Sequence, residues 1–204
     1  MKFRKMMGVT AAFLCAALAL SGCGSTDETA YRIGIVQQDE HSSLDAATQG
    51  FEDKLMELLG EENVTFDYQN AQGEQANSTT IATKFVSDGC DLILANGTTA
   101  LQSAAAATAD IPIVGTSVTD YIAAGAVNSN EKPGTNVTGV SDLGEIKAQV
   151  DVLLTFCQPD TKIAVVYCSA EPNSTYQADL AKKYLDEQKI PYAIYTAADS
   201  NEIQ

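Results

Sequence analysis

The feature that most constrains the fold of this chain is a regular alternation of short apolar segments with longer amphipathic ones. From residue 31 onward, each apolar segment is followed by one whose apolar residues recur at helical spacing. This alternation is typical of βαβ units, in which right-handed crossovers place helices on both faces of a parallel sheet. The sequence therefore predicts an α/β fold made of doubly wound parallel sheets.

Element boundaries follow from the apolar periodicity and from the Gly, Pro, Asn and Asp residues that separate the segments. The predicted strands are 31–37, 63–69, 91–95, 111–115, 137–140, 162–167 and 192–195. The predicted helices are 44–59, 74–87, 99–108, 121–124, 143–156 and 173–188.

A turn-rich segment at 128–134 interrupts the alternation, and the short strand predicted at 137–140 then leaves the first group of elements. We predict an N-terminal α/β lobe over 31–141 and the start of a second α/β lobe over 142–204. The second group has only two strands and two helices, which is too little to bury a doubly wound sheet on its own. The second lobe is therefore predicted to be incomplete in this chain.

The first residues predict export from the cytoplasm. A basic start is followed by an apolar run at 9–20 that is too short to span a bilayer but suits a secretory signal peptide. The sequence Leu-Ser-Gly-Cys at 20–23 resembles the bacterial lipobox, where the chain is cut before a lipidated cysteine. We predict a signal peptide at 1–22, a lipid such as palmitate on Cys23, a flexible tether at 23–30 and anchoring outside the bacterial cell membrane. The alternative is an ordinary signal peptide that happens to contain a cysteine.

The charge balance excludes some classes of partner. The chain has 27 acidic residues against 12 Lys and Arg, which gives a net charge of −15. Such a surface repels phosphate backbones and anionic headgroups, so we expect neither nucleic acid binding nor charge-driven membrane binding. Cys90, Cys157 and Cys168 lack the spacing of zinc ligands, and we predict no metal and no other cofactor.

Polar residues collect after several predicted strands, at the edge where a parallel sheet binds its ligands. Helix N-caps also favour Ser, Thr, Asp and Asn, so capping alone can explain any one of these loops. Four such loops on one edge predict a ligand cleft between the lobes. The residues predicted to contact the ligand are Gln37, Glu40, His41, Leu44, Gly97, Thr98, Thr99, Thr116, Val118, Thr119, Asp120, Ser169, Asn173 and Ser174.

Two of these positions suit the charged groups of an amino acid. Thr98 and Thr99 open a predicted helix, where unpaired backbone N–H groups and the positive end of the helix dipole favour a carboxylate. Gly97 permits close approach of the backbone. Asp120 either pairs with an ammonium group or caps the predicted helix at 121–124, and the sequence leaves both roles open.

The remaining polar candidates are less specific. Glu40 has the same two possible roles as Asp120, and His41, the single histidine of the chain, is either solvated or a ligand contact. Ser169, Asn173 and Ser174 are predicted to close on the ligand from the second lobe. The candidates for contact with a ligand side chain are Leu44, Tyr121 and Tyr176.

The sequence lacks recognisable catalytic motifs. It contains no G-x-S-x-G, Walker loop, H-E-x-x-H or G-x-G-x-x-G, and no nucleophile is marked as a partner for its one histidine. We therefore predict a binding protein and not an enzyme.

Several segments taken together resemble the solute-binding lipoproteins of ABC importers of the TrpX type. The resemblance covers residues 31–204. The matching segments are IGIVQ at 33–37, Glu40-His41, Leu44-Asp45, YQNAQG at 68–73, GTSVTDY at 115–121, NEKPG at 130–134, NVTG at 136–139, YCS at 167–169, Glu171 and Asn173-Ser174.

This resemblance implies a type I periplasmic-binding-protein fold, in which two lobes close on an amino acid, usually aromatic, such as tryptophan or tyrosine. It implies delivery of that ligand to an ABC permease with its ATPase subunits. Val140-Ser141-Asp142 would form the first of three hinge crossings, and the two return crossings are not in this chain. The alternative function is a surface receptor of the same fold that signals to a membrane kinase. An enzyme and a LacI-type repressor fit less well, because catalytic motifs and a basic helix-turn-helix are absent from the sequence.

Overall fold

The computed structural model describes residues 30–158, 160–198 and 202. The predicted signal peptide, the lipidation site Cys23 and the predicted tether up to residue 29 lie outside the described residues. Among the helices that are described, none is both long enough and apolar enough to cross a membrane.

The first lobe is built on a five-stranded sheet in which every neighbouring pair of strands is parallel. The strand order is β2-β1-β3-β4-β5. In chain order the elements are β1 (Tyr31–Gln37), α1 (Ser42–Leu59), β2 (Val64–Asn70), α2 (Gln75–Ser87), β3 (Leu92–Asn96), α3 (Thr98–Ala107), β4 (Ile113–Val118) and β5 (Val137–Ser141). Strand β1 lies between β2 and β3, so the connection that follows β1 and the one that follows β3 run in opposite directions across the sheet.

Helix α1 covers one face of this sheet. Phe51 and Leu55 of α1 pack against the buried side chains of Ile33, Ile35 and Leu94. These strand residues are almost fully buried, which is expected for the central strands of a parallel sheet covered on both faces.

Helices α2 and α3 cover the opposite face. Phe85 of α2 and Leu101 of α3 are fully buried there, in a cluster that includes Val36 and Ala95 of the sheet. Gly34 of β1 makes room for the Phe85 ring, because a Cβ atom at Gly34 would lie 2.6 Å from that ring. Helices on both faces confirm the predicted doubly wound arrangement of the first lobe.

The second lobe contains α4 (Ile146–Thr155), β6 (Ile163–Cys168), α5 (Pro172–Glu187) and β7 (Tyr192–Ala197). Strands β6 and β7 form a two-stranded parallel sheet. Val150, Ile163 and Leu185 form the buried centre of this lobe, between the two helices and the sheet. Val166 and Tyr195 are register partners and are both exposed. Over the described residues the second lobe thus has the two strands and two helices that the sequence predicts.

The structure differs from the predicted boundaries around β4. The sequence predicts that this strand ends at 115, but it continues to Val118 through an irregularity in its pairing with β5. Ser117 has a φ of 54° there, which is uncommon for a residue other than glycine. The segment 121–125 forms a turn and not the predicted helix at 121–124. Thr116 and Val118 are therefore strand residues and not loop residues.

Tyr121 connects the loop after β4 to strand β5. Gly115 and Gly139 are register partners on β4 and β5, and both lie against the Tyr121 phenol. The hydroxyl donates a hydrogen bond to the carbonyl oxygen of Val140 over 3.1 Å. Burial raises the pKa of Tyr121 to about 12. Tyr121 therefore belongs to the core of the first lobe and holds β5, the strand that leads towards the second lobe.

Gly115→Ala tests this packing. The added Cβ would lie 2.6 Å from Tyr121 Oη, and overpacking of this kind costs about 1–3 kcal/mol. The matched control is Gly50→Ala on an exposed turn of α1, where a Cβ meets no heavy atom within 4 Å. We expect Gly115→Ala to lower the free energy of unfolding in urea by that amount and Gly50→Ala to raise it by up to about 1 kcal/mol. Equal effects of the two substitutions would contradict the packing described for Tyr121.

Candidate functional site

The loops that follow β1, β3 and β4 meet at the carboxyl edge of the first sheet. The amide of Gln38 donates to the carbonyl of Asn96 over 2.9 Å, and the amide of Gly97 donates to the carbonyl of Thr116 over 3.0 Å. The first bond places the loop after β1 beside the end of β3, and the second places the loop after β3 beside β4. The loops that follow the three strands therefore leave the sheet at the same edge. The structure thus brings together the first-lobe loops that the sequence predicts to line a cleft.

The N-terminus of α3 is the centre of this edge. Gly97 is the N-cap with a φ of 113° and provides no side-chain cap. Thr98 is buried at 3% exposure, and Thr99 is half-buried. The backbone amide of Thr99 donates to Gln38 Oε1 over 3.0 Å, so a side chain from the loop after β1 caps this helix.

Gln38 is a residue of the site that the sequence analysis missed. A Cβ at position 97 would lie 2.6 Å from Gln38 Oε1, so Gly97 is required for this contact as well as for its positive φ. Gln38 stands between Gln37 and the acidic loop residues, and nothing in its local sequence marks it as a cap for a helix 61 residues away. Its amide oxygen lies where an anionic group would meet the same helix terminus.

The N-terminus of α1 carries three of the predicted residues. His41 is the N-cap, and its Nδ1 accepts a hydrogen bond from the amide of Ser43 over 3.2 Å. His41 and Glu40 are exposed, and Leu44 is half-buried. The observed contact of His41 is therefore with its own helix, and contacts of these three residues with a ligand stay a prediction.

Two predicted ligand contacts are residues with no exposed surface at all. Gln37 is 0% exposed, and its carboxamide bonds only to protein groups, including Asp45 and Thr48. Val118 is also 0% exposed and lies in the core with α2 and α3. In this structure neither side chain reaches the surface of the cleft, although both belong to elements that form its edge.

Asp120 caps the turn that follows β4. Its Oδ1 accepts a hydrogen bond from the amide of Ala123 over 2.7 Å. Burial and the nearby Asp120 carboxylate together raise the pKa of Tyr176, which lies on α5 of the second lobe. The capping role is thus observed, and a carboxylate can accept further hydrogen bonds with its second oxygen.

Helix α5 brings the second lobe to this edge. Gln177 Nε2 donates to Thr119 Oγ1 over 3.3 Å, although Gln177 is absent from the sequence predictions. Thr119 itself is 5% exposed. The sequence could not identify Gln177, because its residue type and its position inside a helix do not distinguish it from a surface glutamine.

The first turn of α5 contains two of the predicted second-lobe residues. Ser174 Oγ donates to Glu171 Oε2 over 2.8 Å, so this hydroxyl supports the start of the helix. Asn173 Oδ1 is buried and has no hydrogen-bond partner among the residues that the structure describes. Ser169 is exposed in the loop that follows β6. Of these three residues, Asn173 is the one with an unused buried acceptor.

The groups at this edge are hydroxyls, amides and carboxylates. Within the described ranges there is no group of three or more His, Cys, Asp or Glu side chains that could hold a metal ion. Cys90 is buried on the first lobe, where burial raises the pKa of its thiol. A positive helix terminus and a carboxylate that follow neighbouring parallel strands suit a small zwitterion, which presents one group of each charge.

Sequence comparisons relate this chain to transport proteins. The family described as "ABC transporter substrate binding protein" matches residues 32–204. A relative named "Tyrosine-binding protein" from Clostridioides difficile (strain R20291) is 36% identical over 220 residues, covering 98% of this chain and 64% of that protein.

Two solved structures extend the comparison. An ABC domain from Streptococcus pneumonia in complex with L-Trp is 34% identical, with a TM-score of 0.79, and the match covers 86% of this chain and 60% of that one. The ligand-free, open structure of a substrate binding protein with adhesive properties from Clostridium difficile is 40% identical, with a TM-score of 0.64, and covers 85% of this chain and 59% of that one.

The chain spans less than two thirds of the length of each of these relatives. It superposes more closely on the L-Trp complex than on the ligand-free, open structure, although its sequence is more similar to the latter. Its elements are therefore arranged more like those of the ligand-bound relative than like those of the open one.

Proposed function

The chain belongs to the ABC transporter substrate binding protein family, and we propose that it binds an aromatic amino acid between its lobes and delivers it to an ABC permease. Its α/β fold is that of the type I periplasmic-binding proteins. The observation that carries the proposal is that the N-terminus of α3 and Asp120 follow the neighbouring parallel strands β3 and β4, with Gln177 of α5 bonded to Thr119 beside Asp120. This edge offers a partner for each charge of an amino acid.

The α-carboxylate would bind at the start of α3. The amide of Thr99 is held by Gln38 Oε1 in this structure, and a carboxylate oxygen would take the place of that neutral oxygen. A carboxylate is favoured there, because the exchange adds attraction to the positive end of the helix dipole. The hydroxyls of Thr98 and Thr99 would add donors.

The α-ammonium would bind to Asp120. One oxygen of this carboxylate already holds the amide of Ala123, which fixes its direction, and the other oxygen can accept from the ligand. Gln177 and Tyr176 of α5 would then cover the ligand from the second lobe, as their present proximity to Thr119 and Asp120 allows. Closure of this kind favours the liganded state by adding contacts that the open form lacks.

The aromatic class of ligand is supported by the named relatives. One is called a tyrosine-binding protein, and another has been solved with L-Trp. Leu44 and Tyr176 are the remaining candidates for contact with the ligand ring, because Tyr121 packs inside the first lobe.

Delivery to a transporter and location outside the cytoplasm belong to the same proposal. The signal peptide at 1–22 would direct export and then be removed. Lipidation of Cys23 would tether the protein to the bacterial membrane, with the lobe at 31–141 and the second lobe from 142 facing outward. Two acyl chains hold a protein on a bilayer firmly, whereas its net charge of −15 would not. The named relatives bind substrates, and we propose that this protein likewise catalyses no reaction.

Ligand binding can be measured through the ligand, because the chain contains no tryptophan. The full-length protein is titrated into L-tryptophan, excited at the red edge where tyrosine barely absorbs, so that all emission comes from the ligand. We expect a saturable change in emission that L-tyrosine displaces. Calorimetry with L-tyrosine and L-phenylalanine covers ligands other than tryptophan. If none of the three aromatic amino acids binds by either method, the proposed ligand class is wrong.

The carboxylate site is tested by Thr98→Ala combined with Thr99→Ala. Hydrogen bonds to a charged group are worth about 1.5–3 kcal/mol, so we expect the affinity for the amino acid to fall at least tenfold. The matched control is Thr79→Ala combined with Thr80→Ala on the exposed surface of α2, which should leave the affinity unchanged. Unchanged affinity in the Thr98/Thr99 variant would place the carboxylate elsewhere.

The ammonium site is tested by Asp120→Asn with two ligands. L-tyrosine carries the ammonium, and 3-(4-hydroxyphenyl)propionate lacks it but is otherwise the same. We expect Asp120→Asn to weaken L-tyrosine binding at least tenfold and to leave binding of the analogue within a factor of two or three. Asp110→Asn, at an exposed position before β4, is the control. An equal loss for both ligands would mean that Asp120 supports the turn and does not hold the ammonium.

A further inference from the structure

A buried hydrogen-bond network lies directly beneath the ligand edge of the first lobe. Its members are Gln37 at the end of β1, Thr48 in α1 and Asn96 at the end of β3, with exposures of 0%, 5% and 0%. Thr48 Oγ1 donates to Gln37 Oε1 over 2.8 Å and accepts from Asn96 Nδ2 over 3.0 Å. The consecutive elements β1 and α1 are thus joined to β3 through one hydroxyl group.

The network also binds both ends of the loop that joins β1 to α1. Gln37 Nε2 donates to the carbonyl of Asp39 over 2.8 Å and to Asp45 Oδ1 over 2.7 Å. Asn96 Nδ2 donates to the carbonyl of Leu44 over 2.8 Å. The loop is therefore held from inside at its start and again at the first turn of α1.

Between these two attachments lie the exposed residues Glu40 and His41. Their recorded hydrogen bonds are local: the amide of Glu40 donates to Asp39 Oδ1, and His41 Nδ1 accepts from the amide of Ser43. Such bonds shape the loop but do not attach Glu40 and His41 to the sheet. Gln38, at the start of the loop, is bonded directly to the end of β3 and to the start of α3. The position of the residues that follow it therefore depends on the buried network.

We infer that Gln37, Thr48 and Asn96 are positioning residues for ligand binding, which act by fixing the loop residues 39–41 against the carboxyl ends of β1 and β3. This inference rests on the proposed function. It assigns Gln37 a supporting role in place of the direct ligand contact that its sequence position suggests. Gln38 is held separately, by its amide bond to the carbonyl of Asn96 and by its contact with the start of α3.

Thr48→Val removes the hydroxyl at the centre of the network and keeps the shape of the side chain. Thr135→Val is a matched control, because Thr135 Oγ1 also donates one hydrogen bond, to the carbonyl of Ala126 over 3.0 Å, and accepts one, from the amide of Val137 over 3.3 Å. Thr135 precedes β5, at the opposite edge of the sheet from the cleft. Both variants are made in the full-length protein, and affinity for L-tyrosine and L-tryptophan is measured by calorimetry.

We expect Thr48→Val to weaken binding of the amino acid about tenfold and Thr135→Val to change it by less than twofold. Hydrogen exchange without ligand gives a second measurement that does not depend on the ligand. The amides of Glu40, Ser43 and Asp45 should exchange faster in Thr48→Val than in the wild type, and Thr135→Val should leave them unchanged. A Thr48→Val variant with normal affinity and normal exchange at these three amides would overturn the inference.

Thr48→Ser keeps the hydroxyl and removes the methyl group, so this variant should bind the amino acid as the wild type does. A loss of affinity equal to that of Thr48→Val would mean that packing of the methyl group is responsible, which would contradict the inference. If the wild type binds no aromatic amino acid while exchange still responds to Thr48→Val, the proposed function fails and the role of the network in holding the loop stands. If binding is normal in the wild type and in Thr48→Val, the proposed function stands and the positioning role fails.

Discussion

The parallel pairing of β1 with both β2 and β3 is the constraint on which the rest of the first lobe depends. It places the ends of β1 and β3 side by side, with Gln37 and Asn96 as register partners. The connection from β1 to β2 and the connection from β2 to β3 run in opposite directions across the sheet. Because both crossovers are right-handed, α1 lies on one face and α2 on the other. The loops after the two strands then lie next to each other at one edge, which is where open parallel sheets bind ligands.

Glycines and polar side chains at this edge have complementary roles. Gly97 leaves space for Gln38 to cap α3, and Gly115 with Gly139 leaves space for the Tyr121 phenol that holds β5. In each case a missing Cβ allows a side chain from another loop to reach backbone atoms. The edge is therefore preorganised by contacts within the first lobe, and Gln177 of the second lobe donates a further hydrogen bond to Thr119.

A binding function follows from the kind of groups that meet there. The start of α3 already donates a hydrogen bond to a neutral oxygen, and a charged oxygen of the ligand can replace that acceptor. Such an exchange leaves no buried donor without a partner. Asp120 lies in the loop after β4, and Thr116 of the same strand accepts a hydrogen bond from the amide of Gly97 through its carbonyl. Family membership and this pair of opposite charges support the proposed binding function independently, since one comes from the whole sequence and the other from local geometry.

The sequence alone determined the α/β class, the order of strands and helices, and the loops that form the edge. These follow from the periodicity of apolar residues and from the residues that cap helices, which are local features of the sequence. It also marked Thr98, Thr99 and Asp120. Only the tertiary structure decided that Gln37 and Val118 are buried and that Gln38 and Gln177 reach the edge. The physical reason is that these outcomes depend on register and on contacts between residues about sixty positions apart, which no local pattern records.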